Sequence, residues 1–166
     1  PVTAATAIRG LRLLVDALPA LRNGTGPGED EVSAEALAPV LKGVLLVQYG
    51  ISRPGETTLS IVHAFGHGLA RTYDVQQGAA HGVVAPHVLQ YLFERVPARR
   101  DLLAEALGVA DDDDTARAVV DAVGEVRDAL DLPARLRDVD GPEPAEFPDV
   151  AATILEDSLM GNAPPD

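Results

Sequence analysis

The sequence contains no cysteine, and this absence excludes two kinds of chemistry. Without thiols the chain forms no disulfide framework, and it has no thiolate to act as a metal ligand or a nucleophile. Long apolar runs are also absent, since the longest, from Gly43 to Val47, is far too short to cross a bilayer. The N-terminus lacks the basic region and apolar core of a signal peptide. We therefore expect a cytoplasmic protein with no membrane partner.

Positive charge is scarce. The chain has 13 lysines and arginines, of which Lys42 is the only lysine, against 26 aspartates and glutamates, and its formal net charge is -13. A surface of this sign repels nucleic acid and anionic lipid, so we expect neither as a partner. So acidic a surface is compatible with a halophilic-like protein that works in concentrated salt, because salt screens the self-repulsion.

The apolar residues recur at helical spacing along most of the chain. Clear examples run from Val2 to Leu21, from Thr115 to Leu130 and from Pro148 to Met160, and no segment alternates convincingly between apolar and polar residues. A stretch rich in glycine and proline predicts a loop from Arg22 to Asp30. We predict an all-α fold, a bundle of about seven helices, in a single domain that spans residues 1–166.

All four histidines fall in one part of the sequence. His63 and His67 are four residues apart, so on a helix both imidazoles project from one face, one turn apart. That arrangement presents two nitrogen ligands, or one ligand and one acid/base, to a small volume. Glycines at 66 and 68 leave the backbone bare, so a ligand or a second element can approach closely. The alternative is a structural pair, because Ala64 stands where zinc proteases carry their glutamate.

The wider stretch carries a family pattern. His-x-x-x-His is followed by Tyr73-Asp74 and then by His81-Gly82-Val83-Val84-Ala85-Pro86-His87. This pattern resembles the helical C-terminal domain of iron-containing alcohol dehydrogenases, and it looks most like their maleylacetate-reductase branch. The start of the chain, Leu132-Pro133 and the late Gly161-Asn162-Ala163-Pro164 resemble the same family. In that family a nucleotide-binding domain precedes this region, and nothing here resembles its glycine-rich turn. Because the chain also starts at Pro1, we expect a fragment that lacks that domain.

The resemblance implies roles for particular residues. In that family a divalent metal, iron or zinc, holds the substrate oxygen while a hydride moves to or from NAD(P). His63 matches a metal ligand, and His67 matches the histidine beside the nicotinamide, which makes it the catalytic and cofactor-binding candidate. The second ligand position falls at Gln77, and a carboxamide is a weaker ligand than imidazole. His81 matches an extra histidine of the maleylacetate-reductase pattern, and it could replace that ligand, bind an acidic substrate or only line the cleft. His87 we interpret as structural.

These matches predict the C-terminal half of an NAD(P)-dependent, metal-assisted oxidoreductase. Its substrate is a small alcohol or carbonyl compound, as in alcohol dehydrogenases or maleylacetate reductases, and the fragment alone is expected to be inactive. A homodimer is compatible with this prediction. Glycerol dehydrogenases and dehydroquinate synthases also carry a His-x-x-x-His helix and a later His-Gly, but Val83 replaces the glutamate that follows there. The third hypothesis is a non-catalytic helical interaction module.

Overall fold

The computed structural model describes residues 2–23, 32–51, 60–109 and 114–163. Its seven α-helices are α1 Val2–Asn23, α2 Ala34–Ile51, α3 Ile61–Tyr73, α4 Gln77–Arg95, α5 Pro97–Leu107, α6 Thr115–Ala129 and α7 Phe147–Leu155. Two short 3-10 helices, Leu136–Val139 and Pro144–Glu146, follow α6, and a third, Ser158–Asn162, follows α7. These ranges contain no β-strand, which confirms the all-α prediction. No helix among them is long and apolar enough to cross a membrane.

Side-chain caps explain where two of the helices begin. The hydroxyl of Ser33 accepts a hydrogen bond from the Ala36 N–H at 3.2 Å where α2 begins. The carboxylate of Asp114 accepts one from the Arg117 N–H at 3.1 Å where α6 begins. Within the loop predicted from Arg22 to Asp30, α1 reaches Asn23, and the rest lies outside the described residues.

The last helix is shorter than the sequence pattern predicts. The apolar spacing indicates a helix from Pro148 to Met160, but α7 ends at Leu155 and a 3-10 helix starts at Ser158. The carboxylate of Asp157 accepts a hydrogen bond from the Leu159 N–H at 2.9 Å. An aspartate that bonds to the backbone two residues later competes with the α-helical bonds, which explains the break.

The chain divides into two compact units. Unit 1 comprises Pro1–Glu56 and Ala98–Leu130, and unit 2 comprises Thr57–Pro97 and Asp131–Asp166. In unit 1, α1 packs along α2 and also contacts α6, and the side chain of Val119 on α6 is completely buried. The prediction of one domain over residues 1–166 stays a prediction.

Unit 2 is organised around α3. This helix packs against α4, α7 and the last 3-10 helix. Its residues Ala64 and Leu69 are completely inaccessible to solvent. Phe65 contacts both apolar clusters of the unit, one around Val84 on α4 and one around Leu69. Because α3 is packed on several sides, the helix is held in place, and so are the positions from which the side chains on its remaining face project.

Candidate functional site

Helix α3 carries the His-x-x-x-His pair, as the spacing predicts. His63 and His67 both lie within Ile61–Tyr73, and both are half-buried, whereas Ala64 between them is fully buried. The side chain of His67 is 40% exposed, so its ring remains accessible to small molecules. The two histidines therefore occupy the boundary of the unit 2 core rather than its interior.

Helix α4 brings His81 against the same face. The ring centroids of His63 and His81 are 4.6 Å apart, and the ring planes are tilted by 52°. The approach depends on Gly66: a Cβ atom built there would overlap His81 Nε2 and would lie 2.8 Å from His81 Cδ2 and 2.9 Å from Gln77 Cγ. The bare backbone at Gly66 thus admits a second element, α4, as its composition predicts. Gln77, the first residue of α4, lies at the same place.

Burial and neighbouring histidines shift the pKa values of His63 and His81. Burial lowers the pKa of His63, and the electrostatic interaction with His67 lowers it further. Burial also lowers the pKa of His81, with added contributions from His63 and His67. Both shifts favour the neutral imidazole, which is the form that can bind a metal ion. His81 Nε2 is buried and has no hydrogen-bond partner within the part of the chain that the structure describes.

The donor set fits part of a metal site. His63 and His81 supply two imidazoles, and the unpartnered Nε2 of His81 is a buried polar atom of the kind that a metal would satisfy. Among the described residues there is no group of three or more histidines, cysteines, aspartates or glutamates that could hold a metal ion. The described residues can therefore provide two nitrogen ligands but not a closed coordination sphere.

Asp157 is a site residue that the sequence reasoning missed. Its Oδ2 accepts a hydrogen bond from His67 Nδ1 at 3.0 Å, and its side chain is 13% exposed. The hydrogen bond from the Leu159 N–H and the one from His67 both lower the pKa of Asp157, so the carboxylate is ionised near neutral pH. The available signal was its position just before Gly161-Asn162-Ala163-Pro164, the late segment with a family resemblance.

His87 does not join the other histidines. It lies exposed on α4, where it lines an apolar cavity of about 780 Å³ in unit 2. Phe65, Val84, Leu136 and Met160 form part of the wall of this cavity, whereas His63, His67 and His81 do not line it. The structure therefore separates the fourth histidine from the candidate site.

Comparison with known proteins identifies the family. The sequence pattern of the "Fe-containing alcohol dehydrogenase family, C-terminal" matches residues 1–166, which is the whole chain. The chain belongs to the iron-containing alcohol dehydrogenase family. One relative, the 1,3-propanediol dehydrogenase of Citrobacter freundii, is 31% identical over 169 residues, which cover 98% of the chain and 40% of that protein. The chain thus spans about 40% of the length of such a relative.

Solved structures agree with the family in fold. A 1,3-propanediol oxidoreductase superposes with a TM-score of 0.78 at 24% identity, over 100% of this chain and 42% of the other. A maleylacetate reductase from Rhizobium sp. strain MTP-10005 superposes with a TM-score of 0.73 at 21% identity, with the same coverage. The helical fold is therefore that of the C-terminal part of iron-containing alcohol dehydrogenases, a family of oxidoreductases.

Proposed function

We propose that this chain is the site-bearing, C-terminal half of an NAD(P)-dependent, metal-assisted oxidoreductase that acts on a small alcohol or carbonyl compound. The observation that carries the proposal is the convergence of His63, His67 and His81 around Gly66 in unit 2. Titratable side chains with shifted pKa values that cluster on well-packed helices are candidates for binding or catalysis. The 31% identity to a 1,3-propanediol dehydrogenase supports a substrate of this class.

In this proposal His67 is the catalytic and cofactor-adjacent residue. Its side chain is 40% exposed, and Asp157 accepts a hydrogen bond from Nδ1, so Nε2 is the nitrogen proposed to exchange a proton. During oxidation Nε2 takes the proton of the substrate hydroxyl, and during reduction it returns that proton to the oxygen. When bound, the nicotinamide carries the hydride and the metal polarises the substrate oxygen.

His63 and His81 are the proposed metal ligands from this chain. Their rings lie together, burial keeps both neutral, and His81 Nε2 is without a partner among the described residues. His81 then compensates for Gln77, because imidazole binds first-row metals more strongly than a carboxamide does. The identity of the metal, iron or zinc, depends on the further ligands that complete its coordination beside His63 and His81. Homodimerisation, a cytoplasmic location and a salt-adapted surface stay predictions.

Three variants test these roles in a protein that joins this chain to a nucleotide-binding domain. His67→Asn should lower kcat by about a hundredfold or more without loss of bound metal, because it removes a general acid/base. His81→Ala should abolish metal content and activity together, because it removes a ligand. Gln77→His should tighten metal binding, because it places imidazole beside the same site. The measurements are kcat, KM and metal content by elemental analysis.

A fourth histidine provides the matched control. His87→Asn alters an exposed histidine that lies outside the cluster, so it should leave kcat and metal content unchanged. Wild-type kcat in His67→Asn would refute the catalytic assignment. Retained metal with a raised KM in His81→Ala would transfer His81 from metal binding to substrate binding, and wild-type values would make it structural.

A further inference from the structure

Asp157 is built into the turn that follows α7, and it reaches His67 across 90 positions of sequence. Its two carboxylate oxygens have separate partners. Oδ1 accepts a hydrogen bond from the Leu159 N–H at 2.9 Å, and Oδ2 accepts one from His67 Nδ1 at 3.0 Å. With one oxygen fixed to the backbone, the other is held in a defined direction toward the imidazole.

The charge on Asp157 determines which nitrogen of His67 carries the proton. An ionised carboxylate can only accept hydrogen bonds, so Nδ1 of His67 must be protonated in order to donate. The Leu159 and His67 hydrogen bonds lower the pKa of Asp157, and the nearby positive charge of Arg71 acts in the same direction. In a neutral imidazole only one nitrogen carries a proton, so Nε2 then holds the free electron pair.

We propose that Asp157 is a positioning residue that fixes His67 in the Nδ1–H tautomer and thereby reserves Nε2 for proton exchange with the substrate oxygen. This inference rests on the proposed function of His67 as the catalytic acid/base. The same geometry orients the ring, because the hydrogen bond ties one edge of a side chain that is 40% exposed to a carboxylate that is 13% exposed. Without this bond an exposed imidazole would sample several rotamers and both tautomers.

A purely structural role for Asp157 makes a different prediction. If the carboxylate served only to end α7, the one interaction required of it would be the hydrogen bond that it accepts from the Leu159 N–H. Asparagine can accept the same hydrogen bond, because its side-chain oxygen is an equally good acceptor at such a position. Its amide group, however, donates hydrogen bonds, and facing His67 it would favour an unprotonated Nδ1 and a protonated Nε2. Asp157→Asn therefore separates the two roles.

The experiment compares Asp157→Asn with wild type in the enzyme that carries both domains. We expect kcat to fall roughly 10- to 100-fold with little change in KM, as is typical when a partner that orients a site residue is lost. Nitrogen-15 NMR of labelled histidine, with the His67 signals assigned from their absence in His67→Asn, should show a change to the Nε2–H tautomer. Asp138→Asn, at an exposed aspartate of the same unit, should leave both quantities unchanged.

A double variant distinguishes an effect of Asp157 that acts through His67 from a general loss of structure. If Asp157 acts through His67, then adding Asp157→Asn to His67→Asn should lower kcat no further. A multiplicative loss in the double variant would overturn the inference, as would wild-type kcat or an unchanged Nδ1–H tautomer in Asp157→Asn. An inactive His67→Asn beside a fully active Asp157→Asn would refute this inference alone. A fully active His67→Asn would instead refute the proposed function on which it rests.

Discussion

Gly66 is the position at which the packing of the candidate site can be tested most directly. A methyl group there would overlap His81 Nε2 and would lie 2.8 Å from His81 Cδ2. The ring cannot easily move aside, because it packs at 4.6 Å from the ring of His63 and its backbone belongs to α4. Gly66→Ala should therefore either displace His81 from His63 or push α4 away from α3.

The expected cost follows from two opposing effects. Overpacking a well-filled site typically destabilises by about 1–3 kcal/mol. Replacing glycine by alanine at a compatible backbone position stabilises by about 0.4–1 kcal/mol, because the unfolded chain loses freedom. Gly161→Ala isolates the second effect in the same unit, since a Cβ atom at Gly161 would have no heavy atom within 4 Å. Relative to that control, Gly66→Ala should be less stable by about 1–3 kcal/mol.

Urea unfolding of the wild type and both variants measures this difference. A second comparison locates the clash: in the His81→Ala background the imidazole is gone and the contact with Gln77 Cγ at 2.9 Å remains, so the penalty of Gly66→Ala should fall. A Gly66→Ala variant that is stabilised as much as Gly161→Ala in the wild type would contradict a clash between α3 and His81. A penalty that persists unchanged after His81 is removed would contradict it as well.

Three further predictions concern other parts of the chain. Leu69→Ala should destabilise by about 2–5 kcal/mol because the side chain is completely buried, whereas Leu155→Ala, at a 67% exposed position, should lie within about 0.5 kcal/mol of wild type in urea unfolding. Burial and the hydrogen bond to Glu146 raise the pKa of Tyr73 above its usual 10.0, so the neutral phenol contributes to the stability of the folded state. This contribution is fully present below pH 10 and is lost as the pH rises through the higher folded pKa. Tyr73→Phe should therefore reduce the loss of stability between neutral and strongly alkaline pH, measured by urea unfolding. The 166-residue chain alone should retain no stoichiometric transition metal after dialysis against a mild chelator and should not oxidise NAD(P)H, because the described residues lack a closed ligand set.

The helices were predictable because their determinants are local. Helical spacing of apolar residues, and caps such as Ser33 before α2, act within a few positions of the chain. The predicted end of α7 was wrong for a local reason as well. Asp157 ends the helical region by accepting a hydrogen bond from the Leu159 N–H, while the apolar pattern continues to Met160. Periodicity shows which residues face a core, but it does not show where a polar side chain diverts the backbone.

The candidate site was predictable only in part, for a related reason. His63 and His67 are joined by one helical turn, so their proximity follows from the sequence. His81 could be connected to them only through a family resemblance, because its approach depends on how α4 packs on α3. Asp157 depends on the packing of α7 and the last 3-10 helix against α3, and no sequence spacing encodes a contact across 90 residues.

The two glycines that flank His67 explain how these long-range contacts arise from a local motif. Gly66 allows α4 to approach until His81 and Gln77 occupy the space of a side chain. Gly68 does the same for α7, since a Cβ atom there would lie 2.8 Å from Ile154 Cγ1. Asp157 follows Ile154 by three residues, so the close approach at Gly68 places its carboxylate beside His67. The short segment from Gly66 to Gly68 thus presents the imidazole of His67. Its two glycines also set how closely α4, which carries His81, and α7, which precedes Asp157, approach α3.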